Sequence, residues 1–189
     1  MKKKKAAPLE KINFPENYYV LGADLSLTRP GFALIEIDNV DGIPAVKDMK
    51  LMSVNNKGKK KSHGEILHQI KNEFNAWATK YIDSTKDLFC VREKEIMHMK
   101  LPSERNVTKV VGLMDYLAYE KNVEWKEIYP VQVKSLVAGN GRAEKTEVAA
   151  ALPFYVGEIE YKNDDESDAT GVAIAWLIQH GQLKEREHV

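Results

Sequence analysis

The chain has 189 residues, with 28 Lys plus Arg set against 28 Asp plus Glu, a formal net charge of zero and a pI near 7.0. That length suits one domain with a real core. No apolar run approaches the ~20 residues needed to cross a bilayer, and a single cysteine, Cys90, excludes an internal disulfide framework and a zinc ribbon. The neutral sum argues against a protein that holds polyanions by bulk positive charge. The sum conceals a gradient, however. Residues 1–62 carry net +5, residues 63–163 net −1 and residues 164–189 net −4.

The first sixteen residues are polar, contain Pro8 and Pro15 and open on Met1-Lys2-Lys3-Lys4-Lys5, so they read as a flexible basic leader before a single domain at 17–189. No apolar signal-peptide stretch follows the lysines, and the cytoplasm is the expected location. Tyr18 to Asp24 is a short apolar, aromatic run and predicts a strand. Thr28-Arg29-Pro30-Gly31 is turn chemistry, and Phe32 to Ile37 predicts a second strand returning beside the first. A turn at Asn39 to Gly42 leads to a third strand within Ala45 to Val54. A lysine cluster, Lys57-Gly58-Lys59-Lys60-Lys61, reads either as a solvated loop or as a foot for a phosphate backbone.

The period then changes. Leu67, Ile70, Phe74, Trp77 and Tyr81 recur at three and four residues and predict an amphipathic helix. Leu88 to Val91 predicts a strand. Val107, Val110, Val111, Met114, Leu117 and Ala118 form a second helical stripe, which is either core or a dimer surface. Glu127 to Val131 predicts a strand ending at Pro130. Val131 to Val137 and Ala143 to Leu152 predict two helical pieces around Gly139-Asn140-Gly141, and Ala169 to Ile178 a last helix stopped by Gly181. Three turn-linked strands favour an antiparallel meander, and strands alternating with helices favour parallel additions to the same sheet. The expected fold is α/β, a mixed five-stranded sheet with helices on both faces.

Four acids fall where such a sheet gathers them. Asp24 ends the first strand, Glu93 follows the apolar residues of the fourth, and Asp165 and Asp168 stand three apart at the start of the last helix, on one helix face. Four converging carboxylates repel and call for positive charge, and an all-oxygen set favours Mg²⁺ or Mn²⁺ over zinc. Two such ions about 3.5–4 Å apart activate a water and stabilise the leaving oxygen of a phosphodiester. Each acid also has a plainer reading. Asp24 suits a turn, Asp165 an N-cap, Asp168 the helix dipole, and Glu93 a solvated charge in Arg92-Glu93-Lys94-Glu95.

The surrounding strings separate these readings. Val20-Leu21-Gly22-Ala23-Asp24-Leu25-Ser26-Leu27-Thr28-Arg29-Pro30-Gly31 resembles the first strand–turn–strand of RuvC-type Holliday junction resolvases. Gln132-Val133-Lys134 through Gly139-Asn140-Gly141-Arg142-Ala143-Glu144-Lys145 resembles that family's basic segment. Asp165-Glu166-Ser167-Asp168-Ala169-Thr170-Gly171 is similar to its closing motif. The motifs stand in family order within residues 18–182. The resemblance implies an RNase H-like fold, a homodimer, two Mg²⁺ ions per subunit with Mn²⁺ as a substitute, and paired nicks in a four-way junction, with forks as further branched substrates. It gives Asp24, Asp165 and Asp168 metal-ligand roles and places Lys134 and Lys145 near the scissile phosphate. Glu93 is the expected fourth ligand, with Glu95 in reserve, because Arg92 interrupts the family pattern and a one-residue shift changes face. Arg142, Lys59, Lys60 and Lys61 join the expected DNA-binding set.

Two further expectations complete this reading. Ile96, Met97 and His98 stand where bacterial members carry an aromatic that wedges against bases, and with the lysine clusters this favours a phage-type relative. The alternatives are an architectural junction-binding protein with weak cleavage, or a relaxed branched-DNA or RNA–DNA hybrid nuclease of the same fold.

Overall fold

The computed structural model describes residues 11–56, 58, 60–94 and 102–186, with backbone alone at 102–105. Five strands, β1 (Asn17–Asp24), β2 (Gly31–Val40), β3 (Ile43–Ser53), β4 (Asp87–Glu93) and β5 (Trp125–Ile128), form one sheet in the order β3-β2-β1-β4-β5. The first three run antiparallel, whereas β4 and β5 add in parallel to β1. The expected mixed five-stranded sheet is therefore present. Asp41 and Gly42 take positive φ between β2 and β3, the geometry that a two-residue hairpin turn requires. The edge strand β3 carries the charged Lys47, Asp48 and Lys50 along its partly exposed length, which discourages pairing with another edge.

Central strand β1 is buried from Tyr18 to Ala23, so its apolar run is nearly continuous rather than alternating. Its side chains divide between two cores. Tyr18 and Val20 join Ile35, Ile37, Val91 and Ile128 beneath α6 (Asp164–Gln179) and α3 (Pro130–Ala138). Tyr19, Leu21 and Ala23 join Phe32, Leu34 and Cys90 beneath α1 (His63–Tyr81) and α2 (Pro102–Tyr119). Two short helices, α4 (Lys145–Ala151) and α5 (Pro153–Val156), connect α3 to α6. Ser62 caps α1 with a reciprocal capping box to Glu65.

Two expectations are corrected, and one left open is narrowed. β5 ends at Ile128, because Pro130 and Val131 already belong to α3, where a proline at the first helical position loses no hydrogen bond. The stripe on α2 packs inward through the buried Val110, Met114 and Leu117, so its core reading holds for these three, while Val107, Val111 and Ala118 are only partly buried. The leader does not run to residue 16. Ile12 and Phe14 pack on the core, and the Phe14 ring lies 5.2 Å from Tyr18 and 5.7 Å from Trp176. Residues 1–10, Lys57, Lys59, Glu95, Ile96, Met97 and His98 lie outside the described residues.

Candidate active site

β1 and β4 run side by side with Gly22 opposite Val91 and Ala23 opposite Arg92, so the next step sets Asp24 beside Glu93. Both acids fall on the α6 face. Asp24 shares parity with the α6-facing Tyr18 and Val20, and Glu93 with Phe89 and Val91. Arg92 turns to the opposite face, where its guanidinium reaches Asp115 of α2 at 2.5 Å and Glu127 of β5 at 3.4 Å. The residue that interrupts the family pattern is thus a strut beneath α2, and Glu93 keeps the expected register.

Helix α6 brings the other two acids. Asn163 is its N-cap, with Oδ1 accepting from the backbone N–H groups of Asp165 at 3.1 Å and Glu166 at 3.2 Å. The capping reading of Asp165 is therefore replaced, and its side chain is left for other work. The first turn sits on β2 because Gly31 has no side chain: a Cβ there would overlap the backbone carbonyl of Asp165 and lie 3.0 Å from its Cβ. One turn on, Gly22 lets α6 settle on β1, since a Cβ would overlap the Ala169 carbonyl and come within 2.8 Å of Ala173 Cβ. Glu166 is buried, and its carboxylate accepts from Ser53 Oγ at 2.9 Å and from the Lys162 N–H at 3.0 Å, tying the start of α6 to the end of β3.

The electrostatics show which acids feel one another. Burial pushes the Asp24 carboxyl up to about 7, with the charges of Asp168, Glu93 and Asp165 adding to the rise and Lys145 opposing it. Burial likewise raises Glu93, helped by Asp168 and opposed by Lys145 and Lys134. Desolvation draws the Lys145 ammonium down, but its hydrogen bond to Asp168 and the charges of Asp168, Asp24 and Glu93 hold it above its ordinary value overall. Lys145 pairs directly with Asp168. Asp165 instead pairs with Arg29 from the β1–β2 turn, a charge contact rather than an aligned hydrogen bond. Asp24, Glu93, Lys94, Val107, Val111 and Pro130 line a cavity of about 250 Å³ at this end of the sheet.

The donor set fits a hard divalent cation: partly desolvated carboxylates raise one another's proton affinity and offer only oxygen. Among the described residues, no three His, Cys, Asp or Glu side chains are drawn tightly enough together to form a metal cluster. The carboxylates are gathered at one end of the sheet rather than closed into a cage.

Comparison with known proteins decides the family. The model of the crossover junction endodeoxyribonuclease RuvC matches residues 20–176, most of the chain. The chain belongs to the RuvC family. The RuvC of Prochlorococcus marinus subsp. pastoris is 29% identical over 163 residues, covering 86% of this chain and 98% of that protein. The RuvC of a Synechococcus species is 28% identical over 164 residues, covering 84% and 97%. Among solved structures, T. thermophilus RuvC in complex with a Holliday junction substrate superposes with a TM-score of 0.69 at 19% identity, covering 89% of this chain and 99% of that one. The fowlpox virus resolvase follows at a TM-score of 0.51 and 12% identity, covering 85% and 97%. These likenesses establish the RNase H-like fold.

In this RuvC-family chain the basic residues surround the acids unevenly. Lys145 opens α4 and touches Asp168; half-buried Lys134 on α3 acts on Glu93 through charge alone. Arg142 is exposed in the α3–α4 loop, where Asn140 Oδ1 accepts its backbone N–H at 3.0 Å. Lys60 and Lys61 are exposed between β3 and α1, at the same end of the sheet as Asp24, and Lys61 Nζ donates to Gln69 at 2.6 Å. Sequence reasoning missed four positioning residues. Arg29 looked like turn chemistry and Glu166 like one more acid in a cluster. Gly22 and Gly31 left a readable signal, a glycine inside or opening an apolar strand, which marks close approach of another backbone.

Proposed function

We propose that this chain is a divalent-metal-dependent endodeoxyribonuclease that binds four-way junctions and resolves them by paired nicks, acting as a homodimer in the cytoplasm. The carrying observation is the gathering of Asp24, Glu93 and Asp168, with Asp165 alongside, at one sheet end flanked by Lys145 and Lys134, in a chain that the RuvC family model matches over residues 20–176. Asp24, Glu93, Asp165 and Asp168 would hold the metal, with Mg²⁺ favoured, Mn²⁺ as a substitute and two ions per subunit. When bound, the metal supplies Lewis-acid charge and a water activated near neutral pH. Asp24 and Glu93 come from adjacent strands of a packed sheet, so their backbones keep the site's geometry. Lys145 and Lys134 hold positive charge beside the acids, where a scissile phosphate needs it. Arg142, Lys60, Lys61 and Lys59 extend the backbone-binding surface. No helix among the described residues is long and apolar enough to cross a membrane.

The direct test is incubation with a fixed four-way junction, a fork, a linear duplex and an RNA–DNA hybrid in Mg²⁺, Mn²⁺ or EDTA. Paired nicks confined to the junction, and lost in EDTA, are expected. Junction binding with no cleavage in either metal supports the architectural role instead, and equal cleavage of hybrid or fork supports the relaxed nuclease.

Two predictions follow from the basic residues. Junction affinity should fall steeply with salt, and Lys134→Ala should reduce the log–log slope by about 1, as expected when one phosphate contact is lost. Fluorescence anisotropy across a salt series measures both. Arg29→Gln should lower the Mn²⁺ concentration for half-saturation by roughly 3–10-fold, since an interaction worth about 1 kcal/mol no longer competes for Asp165. Calorimetric Mn²⁺ titration checks it, and an unchanged midpoint removes Arg29 from the site.

A further inference from the structure

The rim of the carboxylate site carries an aromatic side chain that the metal chemistry does not use. Ile128 pairs with Glu93 across β4 and β5, and Tyr129 is the next residue. Strand spacing and rise place its backbone on the order of 6 Å from that of Glu93, and alternation turns its ring to the side of Lys94, whose ammonium stands over it. Tyr129 is 47% exposed although it lies at the edge of the sheet's core. Its backbone, by contrast, is held on every side. The Lys94 N–H donates to the Ile128 carbonyl at 2.7 Å, the Tyr129 N–H donates to Gln132 Oε1 at 3.1 Å, and Pro130 begins α3. Lys94 places its ammonium 5.3 Å from the ring centroid and also pairs with Glu127 at 3.1 Å. Both Lys94 and Pro130 line the cavity that contains Asp24 and Glu93.

We propose that Tyr129 is a stacking platform for a nucleobase of the cut strand, held a few nucleotides from the scissile phosphate. The inference rests on the nuclease reading above, because only a strand threaded over the carboxylates passes this rim. The backbones are about 6 Å apart and the two side chains take opposite faces, so at about 3.4 Å per nucleotide the ring stands a few nucleotides from the carboxylates. An exposed ring on a rigid backbone loses little freedom on stacking, and a base freed from its duplex neighbours, as at a branch, presents the flat face that such rings bind. Lys94 places a cation on the same ring, the pairing of aromatic and positive charge that tracks single-stranded nucleic acid. Tyr129 is thus a positioning residue. It orients the strand, and the hydroxyl takes no part.

The test uses full-length protein and four-way junctions with 2-aminopurine placed in turn at successive nucleotides on either side of the nick. Binding in EDTA should quench the probe with wild-type protein, Tyr129→Phe and Tyr129→Trp, and at least half of the quench should be lost in Tyr129→Leu. Single-turnover nicking in Mg²⁺ should drop about tenfold in Tyr129→Leu and less than twofold in Tyr129→Phe, with thermal midpoints compared to exclude misfolding. Equal quench and rate in wild type and Tyr129→Leu overturns the proposal alone. A Tyr129→Phe protein as defective as Tyr129→Leu overturns it too, since the ring is then insufficient. A wild-type protein that neither binds nor nicks the junction overturns the nuclease reading and this proposal with it.

Discussion

Asp24→Asn and Asp168→Asn are each expected to cut junction nicking by on the order of 10³-fold or more, while junction binding in EDTA stays within about threefold of wild type. Removing one oxygen charge from the metal-holding set forfeits several kcal/mol of transition-state stabilisation, and each 1.36 kcal/mol is a factor of ten in rate. Binding depends on lysines and arginines around the site and is untouched or improved by losing a negative charge. Single-turnover nicking and anisotropy separate the two effects. Nicking at the wild-type rate by either variant would remove that acid from the machinery.

The same substitution has a stability signature. Asp24 titrates at about 7 in the fold against 3.8 for the ordinary group, so between these values the folded chain binds more protons than the unfolded one. Metal-free wild-type protein therefore loses stability as pH rises from about 4 to about 7, and Glu93, raised in the same direction, adds to the loss. Asp24→Asn should be more stable than wild type at pH 8 without divalent ions, by on the order of 1–4 kcal/mol, with the difference vanishing below pH 4. Thermal melts across pH measure this. Added Mg²⁺ should flatten the wild-type profile, because bound metal favours the ionised carboxylate.

Gly31→Ala should damage the site without touching an acid. Its new Cβ would overlap the Asp165 carbonyl, so the first turn of α6 must lift away from β2. The expected cost is about 1–3 kcal/mol of stability, as for other overpacked cores, with nicking reduced by on the order of 100-fold, the penalty for a shift near 1 Å in a catalytic group. Gly22→Ala should behave similarly through Ala169 and Ala173. Gly112→Ala is the control. Nothing lies within 4 Å of a Cβ there, and it is helical, so the change should be neutral or stabilising by about 0.5–1 kcal/mol. If Gly31→Ala nicks at the wild-type rate, close seating of α6 on β2 is not what positions Asp165.

Much of this architecture was legible before any coordinates. Tyr18 to Asp24 reads as a strand from its short apolar, aromatic run, and of the α1 stripe Ile70 and Phe74 are buried while Leu67, Trp77 and Tyr81 pack partly buried beside them; Ile66 joins that face without being part of the expected stripe. Asp24, Glu93, Asp165 and Asp168 stand out in the sequence because acids at strand ends and at a helix start have few places to go in a sheet of this order. Their pairing was harder to see. Whether Glu93 faced α6 depended on register across Arg92, and register is set by what packs on each face rather than by local preference. The α2 stripe was ambiguous for the same reason, since apolar periodicity shows that a face is covered and leaves open what covers it.

The linear sequence by itself determined the strand–helix order, the mixed sheet, the family motifs and the candidate acids, since these depend on short-range periodicity and spacing. Tertiary structure alone decided that Asn163 and not Asp165 caps α6, that Arg29 reaches Asp165 and Lys145 reaches Asp168, and that Gly22 and Gly31 let α6 close on the sheet. The Arg29–Asp165 pair alone joins residues 136 positions apart. No local propensity encodes such a distance; it is set when two cores pack against opposite faces of one sheet.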